Sequence, residues 1–173
     1  MVNINQMNIN EPCSGEIMVD MANTYTQINI HAVFAVKGRQ NLLVNKFRNE
    51  LFQYIHGILK NKGQHPLAVN GYKDHVHIFF ELHPTSSISD IMRDVKANSS
   101  KWINDNKFVV GKFSWQEGYG GFSYSRTQRD NVINYIIDQE KHHSKHSFKE
   151  EYLELLRIFQ IEFKNEYVFE FYE

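Results

Sequence analysis

From His75 to Leu82 an apolar set alternates with a pair of histidines, and this pattern constrains the fold more than any other feature. Val76, Ile78, Phe80 and Leu82 occupy one parity, while His75 and His77 occupy the other. Successive side chains of a β-strand point to opposite faces, so the apolar set needs a packed layer beneath it and the two imidazoles share the reverse face. The plain reading of that face is solvent. The sharper reading is half a metal site, because neutral imidazole nitrogens on a stiff strand bind divalent ions well.

The chain has 173 residues, enough for one domain with a proper core, and its 42% hydrophobic and 23% charged content is that of an ordinary globular protein. A single cysteine, Cys13, excludes both a disulfide framework and a cysteine-based zinc site within one chain. No apolar run approaches the ~18 residues that span a bilayer. No basic segment followed by an apolar one opens the chain, so no membrane partner and an intracellular setting are expected. The net charge of −1 conceals an asymmetry. Residues 150–173 carry seven acidic and two basic side chains, whereas residues 21–149 carry ten acidic and seventeen basic ones. A basic body suits a polyanionic partner, although charge alone does not select one.

Residues 1–20 are Asn-rich and lack a period; they are expected to form a loose arm, with Met21 as an alternative start. A single domain is expected over 21–163, followed by an acidic tail at 164–173. Alternation between Thr24 and Val36 predicts a first strand. Val44, Phe47, Leu51, Tyr54, Ile55 and Ile58 follow helical spacing, with Gly63 in the C-terminal cap position. Leu67–Asn70 and His75–Leu82 flank a short loop and predict a hairpin. Ser87 or Ser89 is placed to cap a second helix bearing Ile88, Ile91, Met92, Val95, Trp102 and Ile103. Phe113–Gln116 and Gly121–Tyr124 predict short strand pieces. Ser125 with Gln128 matches a capping box, opening a helix expected to reach about His143, and a last helix is expected over Phe148–Phe163. The order strand, helix, two strands, helix, strand predicts an α+β fold: a ferredoxin-like split βαβ sheet with helices on one face, extended by the helix after Ser125 and a C-terminal helix.

On the helix after Ser125, Tyr135 and Gln139 stand four residues apart and share a face. A phenol is a competent nucleophile once its proton is removed, and an amide carbonyl is a hard ligand for Mg²⁺ or Mn²⁺. Should this face pack near the histidine strand, His75, His77 and Gln139 can hold one divalent ion with Tyr135 beside it. Taken alone, Tyr135 is more commonly an amphipathic ring packed on a neighbour with its hydroxyl wet.

The triplet His75-Val76-His77 preceded by Asp74, followed on a later helix by Tyr135-x-x-x-Gln139, resembles the single-tyrosine HUH transposases of the insertion-sequence 200/605 family, which include the enzymes associated with repetitive extragenic palindromes. The likeness covers about residues 21–160, including His31, the Lys37-x-Arg39 exit, Phe113–Gln116 and Gly118-Tyr119-Gly120. It implies a dimeric ferredoxin-like nuclease of a bacterial or archaeal cytoplasm, acting on single-stranded DNA with hairpin ends. It implies transesterification through a 5′-phosphotyrosine, and strand rejoining without an external energy source. Carried over by motif, Tyr135 is the nucleophile and His75, His77 and Gln139 are the metal ligands. The resemblance also implies a homodimer in which the tyrosine helix of one copy can serve the other's histidine pair, giving composite sites.

Local basic residues are expected to contact DNA: Lys37 and Arg39 first, then Arg93, Lys96, Lys101, Arg126 and Arg129. Trp115, Tyr119 and Phe122 either stack on unpaired bases or pack under the turn. Among the histidines, His142 or His143 can approach the site from the next turn, whereas His31 reads as a hydrogen-bonded structural residue. Two other functions fit parts of the pattern. A non-catalytic single-stranded nucleic-acid-binding module on the same sheet explains the aromatics but leaves the His pair and Tyr135 as coincidences. A small metallohydrolase using bound water explains the His pair without needing Tyr135.

Overall fold

The computed structural model describes residues 25–164, so the expected arm at 1–20 and the tail beyond Lys164 lie outside the described residues. Four antiparallel strands, β1 (Asn29–Ala35), β2 (His65–Gly71), β3 (His75–Glu81) and β4 (Gly120–Tyr124), form one sheet in the order β2-β3-β1-β4. Helix α1 (Asn45–Asn61) connects β1 to β2, and α2 (Ile88–Asp105) connects β3 to β4. β3 is thereby inserted between β1 and β2, which is the split βαβ arrangement expected from the element order. Among the described residues, no helix is long and apolar enough to cross a membrane.

The alternation of β1 and β3 is resolved by two different layers. Ile30, Ala32 and Phe34 of β1 and Val76, Ile78 and Phe80 of β3 face α1 and α2, where Leu51, Ile55, Met92 and Val95 are buried against them. Each such side chain contributes about 1.5–3 kcal/mol by leaving water. The reverse face is not solvated. Val33, Ala35 and Phe79 on that side are covered by α3 (Arg129–Ile137) and α5 (Phe148–Ile158), through Val132, Ile136, Phe148, Leu155 and Leu156. His75 and His77 sit between these patches with no exposed surface, so the solvated-face reading fails.

Several local expectations need correction. The helix opened by the Ser125–Gln128 capping box begins with a 3-10 turn and stops at Ile137; a separate turn, α4 (Gln139–His142), follows. The break has a visible cause. The Asn70 side-chain amide on β2 donates to the carbonyl oxygens of Ile136 and Ile137 at 2.9 and 2.7 Å, taking acceptors that the next turn needs. Helix α5 ends at Ile158 rather than Phe163, with Gln160 left-handed (φ 52°) and the Ile161 N–H returning to the Leu156 carbonyl at 2.9 Å. Phe113–Gln116 forms one isolated bridge, Val36 to Trp115, and no strand. Ser87 precedes α2 without capping it, since its hydroxyl pairs with that of Ser89 at 2.6 Å.

Candidate metal and tyrosine site

Three elements converge on the His face of β3: the α3–α4 junction, the turn after α4, and the first turns of α5. His75 is oriented by Asp74, whose carboxylate accepts from its Nδ1 at 2.7 Å. A neutral ring so held turns a lone pair at Nε2 outward, and there Gln139 Oε1 lies at 3.2 Å and Glu151 Oε2 at 3.7 Å. His143 repeats this arrangement. Its Nδ1 donates to the His146 carbonyl at 2.8 Å, and its Nε2 faces Gln139 Oε1 at 2.9 Å and Glu151 Oε2 at 3.1 Å. His77 Nδ1 is paired with His31 Nε2 at 2.9 Å, leaving His77 Nε2 at 3.4 Å from Glu151 Oε2.

With the rings neutral, acceptors face acceptors; burial lowers His143, but Glu151 outweighs it and favours a proton there. His77 Nε2 and Glu151 Oε2 are buried and lack a hydrogen-bond partner. Such orphans are costly in a dry interior unless a cation or a proton lies among them. Ligating atoms of His75, His77, His143 and Glu151 all lie within 4.8 Å of one another, so the donor set fits a divalent metal.

Glu151 also reaches the tyrosine. Its Oε1 accepts from the Tyr135 hydroxyl and, at 2.8 Å, from the Gln139 side-chain amide. Burial, reinforced by the Glu151 charge, pushes the Tyr135 phenol well above its ordinary value, so here it retains its proton. Burial likewise raises the Glu151 carboxyl, but His77, His143 and His75 outweigh it and hold the group well below the usual carboxylate range. Burial depresses His31 and His77. A cleft of about 320 Å³ between α3 and α5 is lined by Tyr124, Gln128, Tyr135, His142, Glu151 and Leu155, and gives Tyr135 an open side.

All four residues that the motif singles out, His75, His77, Tyr135 and Gln139, meet here within one chain. Sequence reading missed Glu151 and left His143 as one of two options. The missing signal was a carboxylate inside the apolar stripe Phe148, Leu155, Leu156 of α5, a place where charge is rare unless paired. His31 lies behind His77, as a hydrogen-bonded structural residue should.

The basic candidates scatter. Lys37 and Arg126 are exposed, and the side chain of Arg39 lies outside the described residues. Lys96 is half-buried and donates to the Gln116 and Gly118 carbonyls, both at 2.6 Å. Arg129 pairs with Glu81 at 2.7 Å, while Arg93 and Lys101 pair with acids on their own helix, Arg93 with Asp90 and Asp94 and Lys101 with Asp105. Trp115 is packed against Phe34 and Phe113 and donates to Ser99 Oγ at 2.9 Å, and Phe122 is buried against Phe159. Of the three aromatic candidates, only Tyr119 offers an exposed ring.

The model for IS200-like transposases matches residues 24–139, two-thirds of the chain, and includes the His pair, Tyr135 and Gln139. The chain belongs to the IS200-like transposase family. Its members are enzymes named for DNA transposition. The ISDra2 transposase TnpA of Deinococcus radiodurans is 23% identical over 118 residues, covering 65% of this chain and 84% of that protein. A crystal structure of a transposase-like protein from Deinococcus radiodurans R1 shares the fold at 21% identity and a TM-score of 0.55, covering 68% of this chain and 95% of that one. A tyrosine transposase associated with repetitive extragenic palindromes, solved bound to its hairpin, shares it at 15% identity and a TM-score of 0.53, over 73% and 74% of the two chains. The family match stops at Gln139, so His143 and Glu151 lie beyond it.

Proposed function

We propose that this IS200-like transposase cuts and rejoins single-stranded DNA near hairpin ends with Tyr135 as nucleophile and a divalent ion, Mg²⁺ or Mn²⁺, held by His75, His77 and Gln139. The observation that carries this reading is the meeting of Tyr135 and Gln139 with the His pair around acceptors that no hydrogen bond satisfies. When bound, the ion polarises the phosphodiester and stabilises charge developing on the leaving 3′-oxygen. Tyr135 Oη forms the new bond to phosphorus as the bond from phosphorus to the 3′-oxygen breaks, and the phenolic proton balances the free 3′-hydroxyl. The 5′-phosphotyrosine conserves the bond energy, so attack by another 3′-hydroxyl reverses the step and joins strands. Glu151, which accepts the Tyr135 proton's hydrogen bond, keeps the phenol directed at the His pair.

Hairpin DNA as the substrate is favoured by one structural neighbour, which was solved on such a hairpin. Of the basic candidates, Lys37 and Arg126 are exposed and free to meet a phosphate backbone. The homodimer belongs to the same proposal.

The test is incubation of the full chain with single-stranded hairpin-containing flank DNA and Mn²⁺, followed by a denaturing gel. Wild type should yield a covalent protein–DNA adduct that chelator abolishes, and Tyr135→Phe should yield none. Adduct formation by Tyr135→Phe would remove the role assigned to that residue.

A further inference from the structure

We propose that His143 and Glu151 join His75, His77 and Gln139 around the cation, so that residues beyond the family match complete the metal centre. This rests on the reading of the site given above and extends its ligand set.

The first argument is spacing. Glu151 Oε2 lies 3.4 Å from His77 Nε2, 3.1 Å from His143 Nε2 and 3.7 Å from His75 Nε2. Donors about 2.1 Å from one ion stand about 3.0 Å apart at adjacent octahedral corners and about 3.4 Å apart at tetrahedral ones. A carboxylate oxygen 3.1–3.7 Å from three imidazole nitrogens is placed to share one ion with them.

The second argument is hydrogen-bond logic. His75 and His143 each spend the Nδ1 proton on a group that only accepts, the Asp74 carboxylate and the His146 carbonyl. Their Nε2 lone pairs then converge on Glu151 Oε2, with His77 Nε2 beside them and neither orphan satisfied. One divalent ion removes every one of these conflicts; without it the same pocket needs more than one buried imidazolium. The outer partners are already in place, since Asp74, the His146 carbonyl and His31 fix the three rings from behind.

Gln139 has a second duty in this arrangement. Its amide donates to Glu151 Oε1, which steadies the carboxylate, and its own oxygen stays among the ligand atoms, 3.2 Å from His75 Nε2 and 2.9 Å from His143 Nε2. Three imidazoles and one carboxylate form a nitrogen-rich set. Such a set favours Mn²⁺, Co²⁺ or Zn²⁺ over Mg²⁺, which prefers oxygen donors and sheds its water reluctantly.

The experiment is calorimetric titration of the chelator-treated full chain with Mn²⁺, Zn²⁺ or Mg²⁺ in the absence of DNA. It compares wild type with Glu151→Gln, His143→Ala and His75→Ala. Wild type should bind Mn²⁺ and Zn²⁺ tightly and Mg²⁺ far more weakly. Glu151→Gln and His143→Ala should each lose Mn²⁺ affinity by about tenfold or more, the scale seen when a site loses a supporting group. Glu151→Gln keeps the shape and both contacts through Oε1, and its metal-free far-ultraviolet circular dichroism should match wild type and show that the fold persists. Unchanged Mn²⁺ affinity in both variants, with binding lost in His75→Ala, overturns the ligand roles of His143 and Glu151 and leaves the transposase reading standing. Failure of wild type to bind any of the ions overturns both.

Discussion

At the scale of single residues, the site depends on positions that carry no chemistry. Gly71 ends β2 opposite Val76, where a Cβ would lie 2.2 Å from the His75 carbonyl oxygen. Gly71→Ala therefore forces the His75 backbone away, and an overpacking cost of about 1–3 kcal/mol is expected. The melting temperature should fall, and Mn²⁺ affinity with it, although Gly71 touches no ligand atom. The legibility of residues followed their surroundings. His75, His77, Tyr135 and Gln139 announced themselves by fixed spacings along the chain. Glu151 did not, because its meaning comes from three histidines brought up from two other segments, a juxtaposition that only tertiary packing creates. Lys96 shows the opposite error. Its charge looked available for DNA, but the fold spends it on two loop carbonyls.

Elements divide in the same way. The strands and the first two helices were legible from an apolar stripe, period two in β3 and period 3.6 in α1 and α2, although both faces of β1 and β3 turn out to be buried. The helix expected to reach His143 was misjudged because its end is imposed by the Asn70 amide of a distant strand. Helix α5 rests on local chemistry at its start: the Ser147 hydroxyl accepts from the Glu150 N–H while the Glu150 carboxylate accepts from the Ser147 N–H at 2.8 Å, a capping box that closes on the residue before Glu151. Ser147→Ala should cost about 1 kcal/mol, measured by urea unfolding. Because Glu151 lies in that first turn, the metal-induced rise in melting temperature should shrink as well.

For the whole molecule, the arrangement of helices decides which chain completes which site. Here α3, α4 and α5 pack on the sheet of their own chain, and the Tyr135 ring centroid lies 6.0 Å from that of His77. Mixing Tyr135→Phe with His75→Ala protein should therefore not restore adduct formation on hairpin DNA, since each copy lacks one essential group. Recovered adduct in the mixture would show that copies exchange their tyrosine helices. The charge asymmetry fits the same layout: the acidic end of the chain contributes Glu151 to the cation cluster, so part of that acidity is neutralised locally.

The position of β3 in the sheet has one more consequence. It is hydrogen-bonded on both sides, to β1 and to β2, and belongs to the part of a fold that opens last. His143 lies in the turn after α4 and Glu151 in the first turn of α5, peripheral segments that can open without unfolding the sheet. In the proposed shell the paired histidines are thus fixed on a central strand while His143 and Glu151 sit on the periphery, so ion exchange is expected without global unfolding.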